Sequence, residues 1–106
     1  MPIAERRSER SPKRSIALDL QLAACRRDGE LEAIVVGSAD GLVVGAAGDL
    51  DVCSALAARG PSVRGRAHAF VLDGVTFSVI ALGGTVSARQ RELARAASGA
   101  ARILRA

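Results

Sequence analysis

Apolar residues recur at helical spacing in three parts of the chain, and short continuous apolar runs lie between them. Ser15 is a favourable N-cap for a first helix over residues 16–27, which Asp28-Gly29 ends. Two apolar lines on this helix predict a wide buried stripe. They comprise Ile16, Leu20 and Ala23 on one line, and Leu18, Leu22 and Cys25 on the other.

Two apolar runs, residues 33–36 and 42–44, flank the segment Ala39-Asp40-Gly41. Asp-Gly supplies the positive φ values that a tight β-turn requires, so this stretch predicts a hairpin. Because both runs are continuously apolar rather than alternating, we expect both faces of the sheet to be covered. A short second helix follows over residues 49–59, with Asp49 as its N-cap, and Gly60-Pro61 ends it.

A second hairpin has the same design. Strands over residues 68–72 and 75–82 flank Asp73-Gly74, and a last helix runs from Val86 to the end of the chain. Residues 61–67 are compatible with a short edge strand. The order helix, hairpin, short helix, hairpin, helix predicts an α/β (α+β) domain whose mainly antiparallel sheet is covered by helices on both faces.

Composition adds one expectation, which concerns oligomeric state. The chain has 106 residues, enough for one domain, and 49% of them are hydrophobic. Its aromatic residues are Phe70 and Phe77, so small aliphatic side chains must fill the core. A small domain with such a core is marginally stable alone, and we expect it to share apolar surface in a homodimer. No apolar run is long enough to cross a bilayer.

Charge is distributed unevenly along the chain, which has a net charge of +4. Residues 1–14 carry five basic and two acidic side chains and few apolar ones, so we predict a disordered basic leader before a single domain over residues 15–106. The leader lacks the apolar stretch of a secretory signal. We interpret Cys25 and Cys53 as reduced thiols and expect a cytoplasmic protein.

Candidate catalytic chemistry is sparse. His68 lies in a predicted strand without a nucleophile-elbow motif, and one histidine with two distant cysteines does not form a metal-binding pattern. The single lysine, Lys13, falls in the leader, so no Walker A lysine is present. We interpret residues 45–48 as a strand end and Gly83-Gly84 as a turn. We therefore expect no catalytic residue, metal, cofactor or small-molecule substrate.

Arginines form a stripe on the last helix, opposite a predicted apolar seam. The stripe consists of Arg91, Arg95, Arg102 and Arg105, and the seam of Leu93, Ala97, Ala100 and Leu104. Cations near a helix C-terminus are favoured by the helix dipole, which gives Arg102 and Arg105 a structural explanation. The stripe is either a solvated face or a binding surface for an anionic partner.

The second helix is the candidate interaction element. Because it is short, we expect apolar strand surface at Val35, Val36, Val43 or Val44 to remain exposed in a single copy. The dimer or partner surface should then include this helix and residues 61–67. The candidate residues, which face outward or lie in that segment, are Asp51, Ser54, Ala58, Arg59, Val63 and Arg64.

The segments LEAIVVGSADGLVVGAAGDLDVCSALAA and VTFSVIALGG, with a terminal helix, resemble the roadblock/dynein light chain family of the bacterial type. The resemblance spans about residues 16–106. It implies a small α/β domain that dimerises through its middle helix and the following strand. It also implies a non-enzymatic scaffold that binds or regulates a small Ras-like GTPase or a related partner protein. The middle helix is shorter than is usual in that family, and one of the three strands expected after it is not evident.

An alternative function follows from charge alone. The basic tail and the arginine stripe could make the protein an adaptor that binds nucleic acid or an anionic membrane surface. Such binding weakens steeply as salt concentration rises, whereas an interface with a GTPase does not. Salt dependence therefore separates the two hypotheses.

Overall fold

The computed structural model describes residues 12–60 and 67–105. These residues form three helices and four strands in the predicted order. The elements are α1 (Pro12–Gly29), β1 (Ala33–Ser38), β2 (Val43–Ala47), α2 (Leu50–Arg59), β3 (Ala67–Leu72), β4 (Val75–Leu82) and α3 (Val86–Arg105). The edge strand expected at residues 61–67 lies outside the described residues, except for Ala67, which opens β3.

The sheet has the strand order β2-β1-β4-β3, and each neighbouring pair is antiparallel. Both predicted hairpins form, and β1 and β4 make the centre of the sheet. Asp73 and Gly74 both take positive φ, whereas in the first hairpin only Gly41 does and residues 39–42 join the strands. In β1, Val36 lies opposite Gly45 on one side and Val79 on the other, and a register shift follows between Val36 and Gly37. The backbone N–H of Ala46, in the outer strand β2, donates to Asp19 Oδ1 at 3.1 Å, so α1 satisfies that group.

Two apolar clusters cover the two faces of the sheet. Leu18, Leu22 and Cys25 of α1 pack with residues of α3 against Ile34 and Val36. On the other face, α2 packs against Ala33, Val35 and Ile80. The continuous apolar run of β1 is thus buried from both sides, as its pattern predicts.

The first helix differs from its prediction in two respects. It already includes Pro12, so Ser15 lies within the helix and is not its N-cap, and Lys13 and Arg14 are helical rather than part of a leader. Ile16 and Leu20 are 60% and 65% exposed. Ala23, on the same line, is also exposed. The sheet and α3 cover only the side of α1 that carries Leu18 and its line, so the stripe is narrower than predicted.

No helix in residues 12–60 and 67–105 combines the length and the hydropathy that a transmembrane span requires.

Candidate partner-binding surface

The helix α2 is fixed at both ends by its caps. At its start, Asp49 Oδ1 accepts a hydrogen bond from the backbone N–H of Val52 at 3.1 Å, as expected for the predicted N-cap. At its end, Gly60 has φ 60° and its backbone N–H donates to the carbonyl of Leu56. The helix therefore has only ten residues and cannot cover the whole face of the sheet.

The side chains of α2 divide into a buried and an exposed set. Cys53, Leu56 and Ala57 are buried against the sheet. The exposed set contains the four candidate interaction residues of this helix, which are Asp51, Ser54, Ala58 and Arg59. The other two candidates, Val63 and Arg64, lie outside the described residues. The exposed set gives α2 a solvent-facing outer surface in the single chain.

Small residues allow α2 to approach the first hairpin closely. A Cβ atom at Gly37 would lie 3.3 Å from the Cβ of Ala57. At Gly41, where φ is +83°, a Cβ atom would lie 3.3 Å from the Cα of Ala58. The hairpin turn and the last turn of α2 are therefore in direct contact, and the outward side of Ala58 lies beside that turn.

The apolar strand surface that was predicted to be exposed beside α2 is largely covered. Val35 and Val36 are fully buried, one beneath α2 and the other beneath α1 and α3. Val44 is half-buried, and only Val43 remains substantially exposed, at 41%. The prediction holds for Val43 alone, because α2 covers Val35 on one face of the sheet, while α1 and α3 cover Val36 and partly cover Val44 on the other.

A further exposed surface lies on the second hairpin. Ala69 and Thr76 are exposed, and Val71 is 63% exposed. All three share the face of the sheet on which α2 packs, since Ala67 and Ile80 on the same strands contact the α2 cluster. The outer side of α2 and this half of the sheet are therefore adjacent. We call them together the α2 face.

A groove with a volume of about 320 Å³ opens between these two parts of the α2 face. Its walls are the hairpin turn at residues 38–41 and the end of α2 at residues 57–60, and its floor is formed by Thr76 and Ser78. The lining combines hydroxyl groups with the carboxylate of Asp40 and the guanidinium of Arg59. These groups can hydrogen-bond a polar side chain inserted by a partner.

The four arginines of the predicted stripe on α3 are all exposed, but they differ in their partners. Arg91 Nε lies 2.8 Å from Glu92 Oε2, and Arg95 Nη1 lies 3.0 Å from Glu92 Oε1 and 2.8 Å from Asp28 Oδ2. Two of the four arginines therefore bind carboxylates of the same chain. Arg102 and Arg105 are exposed and make no ion pair with any residue in the described parts of the chain.

Glu92 is the residue that sequence reasoning missed. Its side chain is 2% exposed, although it is the only acidic residue on a helix with five arginines. Burial raises the pKa of Glu92, but hydrogen bonds from Arg91 and Arg95 outweigh burial and leave the pKa below its ordinary value. The three-residue spacing between Glu92 and Arg95 was the available signal, since it places the two side chains next to each other on a helix.

The residues considered for catalysis and metal binding are dispersed. His68 is exposed on β3. Cys25 and Cys53 are free, buried, and located in different apolar clusters, as their helix faces predict. Within the part of the chain that the structure describes, no three His, Cys, Asp or Glu side chains lie close enough to hold a metal ion. Gly83 and Gly84 have φ +91° and +71° and form the expected turn.

Solved structures share this fold. The chain resembles Myxococcus xanthus MglB with a TM-score of 0.63 and 9% sequence identity, over 90% of this chain and 92% of the other. It resembles the gliding protein MglB of Thermus thermophilus with a TM-score of 0.64 and 10% identity, over 90% and 93%. An MglB structure described as having a tetrameric arrangement gives the same values. No protein-family model and no curated protein matches the chain. The fold is thus the roadblock-like fold that the sequence predicted.

Proposed function

We propose that this protein is a cytoplasmic, non-catalytic homodimer that binds and regulates a small Ras-like GTPase. The observation that carries the proposal is a roadblock-like fold, matched by MglB structures over 90% of the chain, whose α2 face is left open. The roadblock resemblance of the sequence implies both dimerisation and the GTPase partner.

The open α2 face supports a homodimer. Burial of Val71 and the outer side of Ala58 against a second copy would remove apolar surface from water, which favours association. The α2 helices of two copies can then pack beside each other, while β3 extends the contact along the sheet. One of the similar structures is itself described as a tetrameric arrangement of MglB.

The groove supports a partner that inserts a polar side chain. Asp40 and Arg59 lie at its rim with opposite charges, and the hydroxyl groups of Thr76 and Ser78 lie on its floor. A Ras-like GTPase whose exposed loop carries an arginine could be held by the carboxylate of Asp40. In the proposed function the chain orients the GTPase and contributes no cofactor of its own.

The experiment measures binding to the Ras-like GTPases encoded in the same genome, each loaded with GDP or with a non-hydrolysable GTP analogue. Isothermal titration should detect binding that depends on the nucleotide state. Ala58→Glu should weaken this binding at least tenfold, because Ala58 lines the groove and lies in the proposed dimer contact, so the added charge is desolvated in either place. Ser98→Glu, at another exposed position, on α3, is the control and should bind like the parent. Failure of every GTPase to bind in either state would refute the proposal.

A further inference from the structure

Charge is distributed unevenly between the helical layer of α1 and α3 and the other described residues. The layer formed by α1 and α3 carries nine basic and three acidic residues, whereas the other described residues carry one basic and six acidic residues. The basic residues of the layer are Lys13, Arg14, Arg26, Arg27, Arg89, Arg91, Arg95, Arg102 and Arg105, and its acidic residues are Asp19, Asp28 and Glu92. Among the other described residues, the basic one is Arg59 and the acidic ones are Glu30, Glu32, Asp40, Asp49, Asp51 and Asp73.

An apolar pair lies on the outer surface of this basic layer. Ile16 and Leu20 are one helical turn apart on α1 and are 60% and 65% exposed. Helical periodicity places them on the side of α1 opposite Leu18 and Leu22, which are fully buried. Arg27 lies on the same outer side, and its side chain is 75% exposed. The pair therefore points away from the sheet, on the side of α1 that also carries Arg27, whose Nε lies 3.4 Å from Asp28 Oδ1.

Two arginines of the stripe, Arg102 and Arg105, lie near the end of the layer that carries Ile16 and Leu20. They make no ion pair within the described residues. Asp28 at the end of α1 binds Arg95, and Gln21 lies beside Gly99, so the two helices run antiparallel. The C-terminal turns of α3 consequently lie alongside the first half of α1. Arg102 and Arg105 occupy the outer side of α3, because Gly99 faces α1 and the apolar seam faces the sheet.

We propose that the outer surface of the α1–α3 layer docks on an anionic lipid bilayer, with Ile16 and Leu20 inserted between the headgroups. Exposed apolar side chains on a surface that also carries exposed cations are the chemistry of interfacial membrane binding, in which burial of apolar area adds to attraction by acidic lipids. Nucleic acid would make no use of the apolar pair. The two aromatic side chains of the chain, Phe70 and Phe77, are stacked on each other at 5.3 Å and are not available to bases on this surface.

The proposed lipid surface and the α2 face lie on opposite sides of the sheet. A dimer formed through α2 could therefore keep its α1–α3 layers on a membrane while it holds a protein partner. The inference rests on charge and exposure in the helical layer and does not depend on the proposed GTPase.

Co-sedimentation with vesicles tests the inference. The full chain should bind vesicles of phosphatidylcholine with about 30% phosphatidylserine and should not bind phosphatidylcholine alone. Leu20→Ser combined with Ile16→Ser should reduce binding at least tenfold, since it removes the inserted pair at constant charge. Arg102→Gln combined with Arg105→Gln should reduce binding about thirtyfold. Leu42→Ser is the matched control, because Leu42 is 66% exposed but lies in the first hairpin.

Circular dichroism should show that all variants remain folded, since each changes an exposed side chain. Equal binding to both kinds of vesicle, or loss of binding in the Leu42 variant alone, would overturn the inference. A third outcome would also overturn it. If the serine variants bind acidic vesicles like the parent, and a single-stranded oligonucleotide competes with them, the surface is a general polyanion site and not a lipid site.

Discussion

Gly29, the last residue of α1, lies so close to Glu92 of α3 that a Cβ atom added to it would be 2.7 Å from the Glu92 Cγ. The absence of a side chain at Gly29 lets the carboxylate of Glu92 reach the space between Arg91 and Arg95 at the end of α1. Arg91 and Arg95, which Glu92 holds, also contact Asp28 of α1. Two helices that are far apart in sequence are thus joined through this cluster, and their packing depends on a glycine.

Gly29→Ala should destabilise the fold by about 1–3 kcal/mol, because the added methyl group must displace the Glu92 side chain. Urea unfolding followed by circular dichroism measures the loss. In a Glu92→Ala background the obstructing Cγ is gone, so the same substitution should cost clearly less. An equal loss in both backgrounds would show that the glycine is needed for another reason.

Stability should depend on pH through Glu92. Its folded-state pKa is below the ordinary value of 4.5, so the ionised form stabilises the fold above that pH, and the contribution is lost as the pH falls through the folded-state pKa. A hydrogen bond from Arg95 lowers the pKa of Asp28 in the same direction.

Glu92→Gln should therefore be less stable than the parent at neutral pH and should lose less stability on acidification. Melting temperatures measured from about pH 7 to about pH 3 show both effects. Asp28 remains in the variant, so some dependence on pH should persist. Parallel pH profiles for parent and variant would contradict the role assigned to Glu92.

The two thiols should be inert in the folded protein. Burial raises the pKa of Cys25 to about 11 and also raises that of Cys53, and neither side chain is exposed to solvent. Both residues therefore stay protonated at about pH 8 and inaccessible to a reagent. A chromogenic disulfide reagent should detect almost no thiol in the native protein and two after unfolding in urea. Rapid reaction of one thiol in the native state would show that its helix opens.

Local sequence signals account for most of the fold. Each hairpin is specified by an Asp-Gly turn between β-branched runs, and α2 by Asp49 and Gly60 at its ends, so these elements follow from neighbouring residues. Exposure of Ile16 and Leu20 does not follow in this way. Which line of α1 becomes buried depends on where α3 lies, and α3 is distant from α1 in the chain.

The candidate partner-binding surface could likewise be predicted only in part from local sequence. The spacing along α2 predicts that Ser54 and Ala58 face outward, and they do. The exposed half of the sheet could not be predicted from the sequence. Its position depends on the packing of α2 over β1 and β2, which leaves Val71 uncovered and which no local pattern specifies. Burial of Glu92 could not be predicted either, because an acidic side chain on an arginine-rich helix is expected to be solvated.

The most direct test of the central claim is the mass in solution, measured by light scattering coupled to size exclusion. We expect the parent chain to have a molar mass in solution of twice its 10.9 kDa. Ser54→Glu should weaken the dimer by about 2–4 kcal/mol, because the new charge would be buried without a partner. Ser98→Glu on α3 should remain dimeric. A monomeric parent, or a dimer that Ser98→Glu dissociates and Ser54→Glu leaves intact, would contradict the assignment of the α2 face.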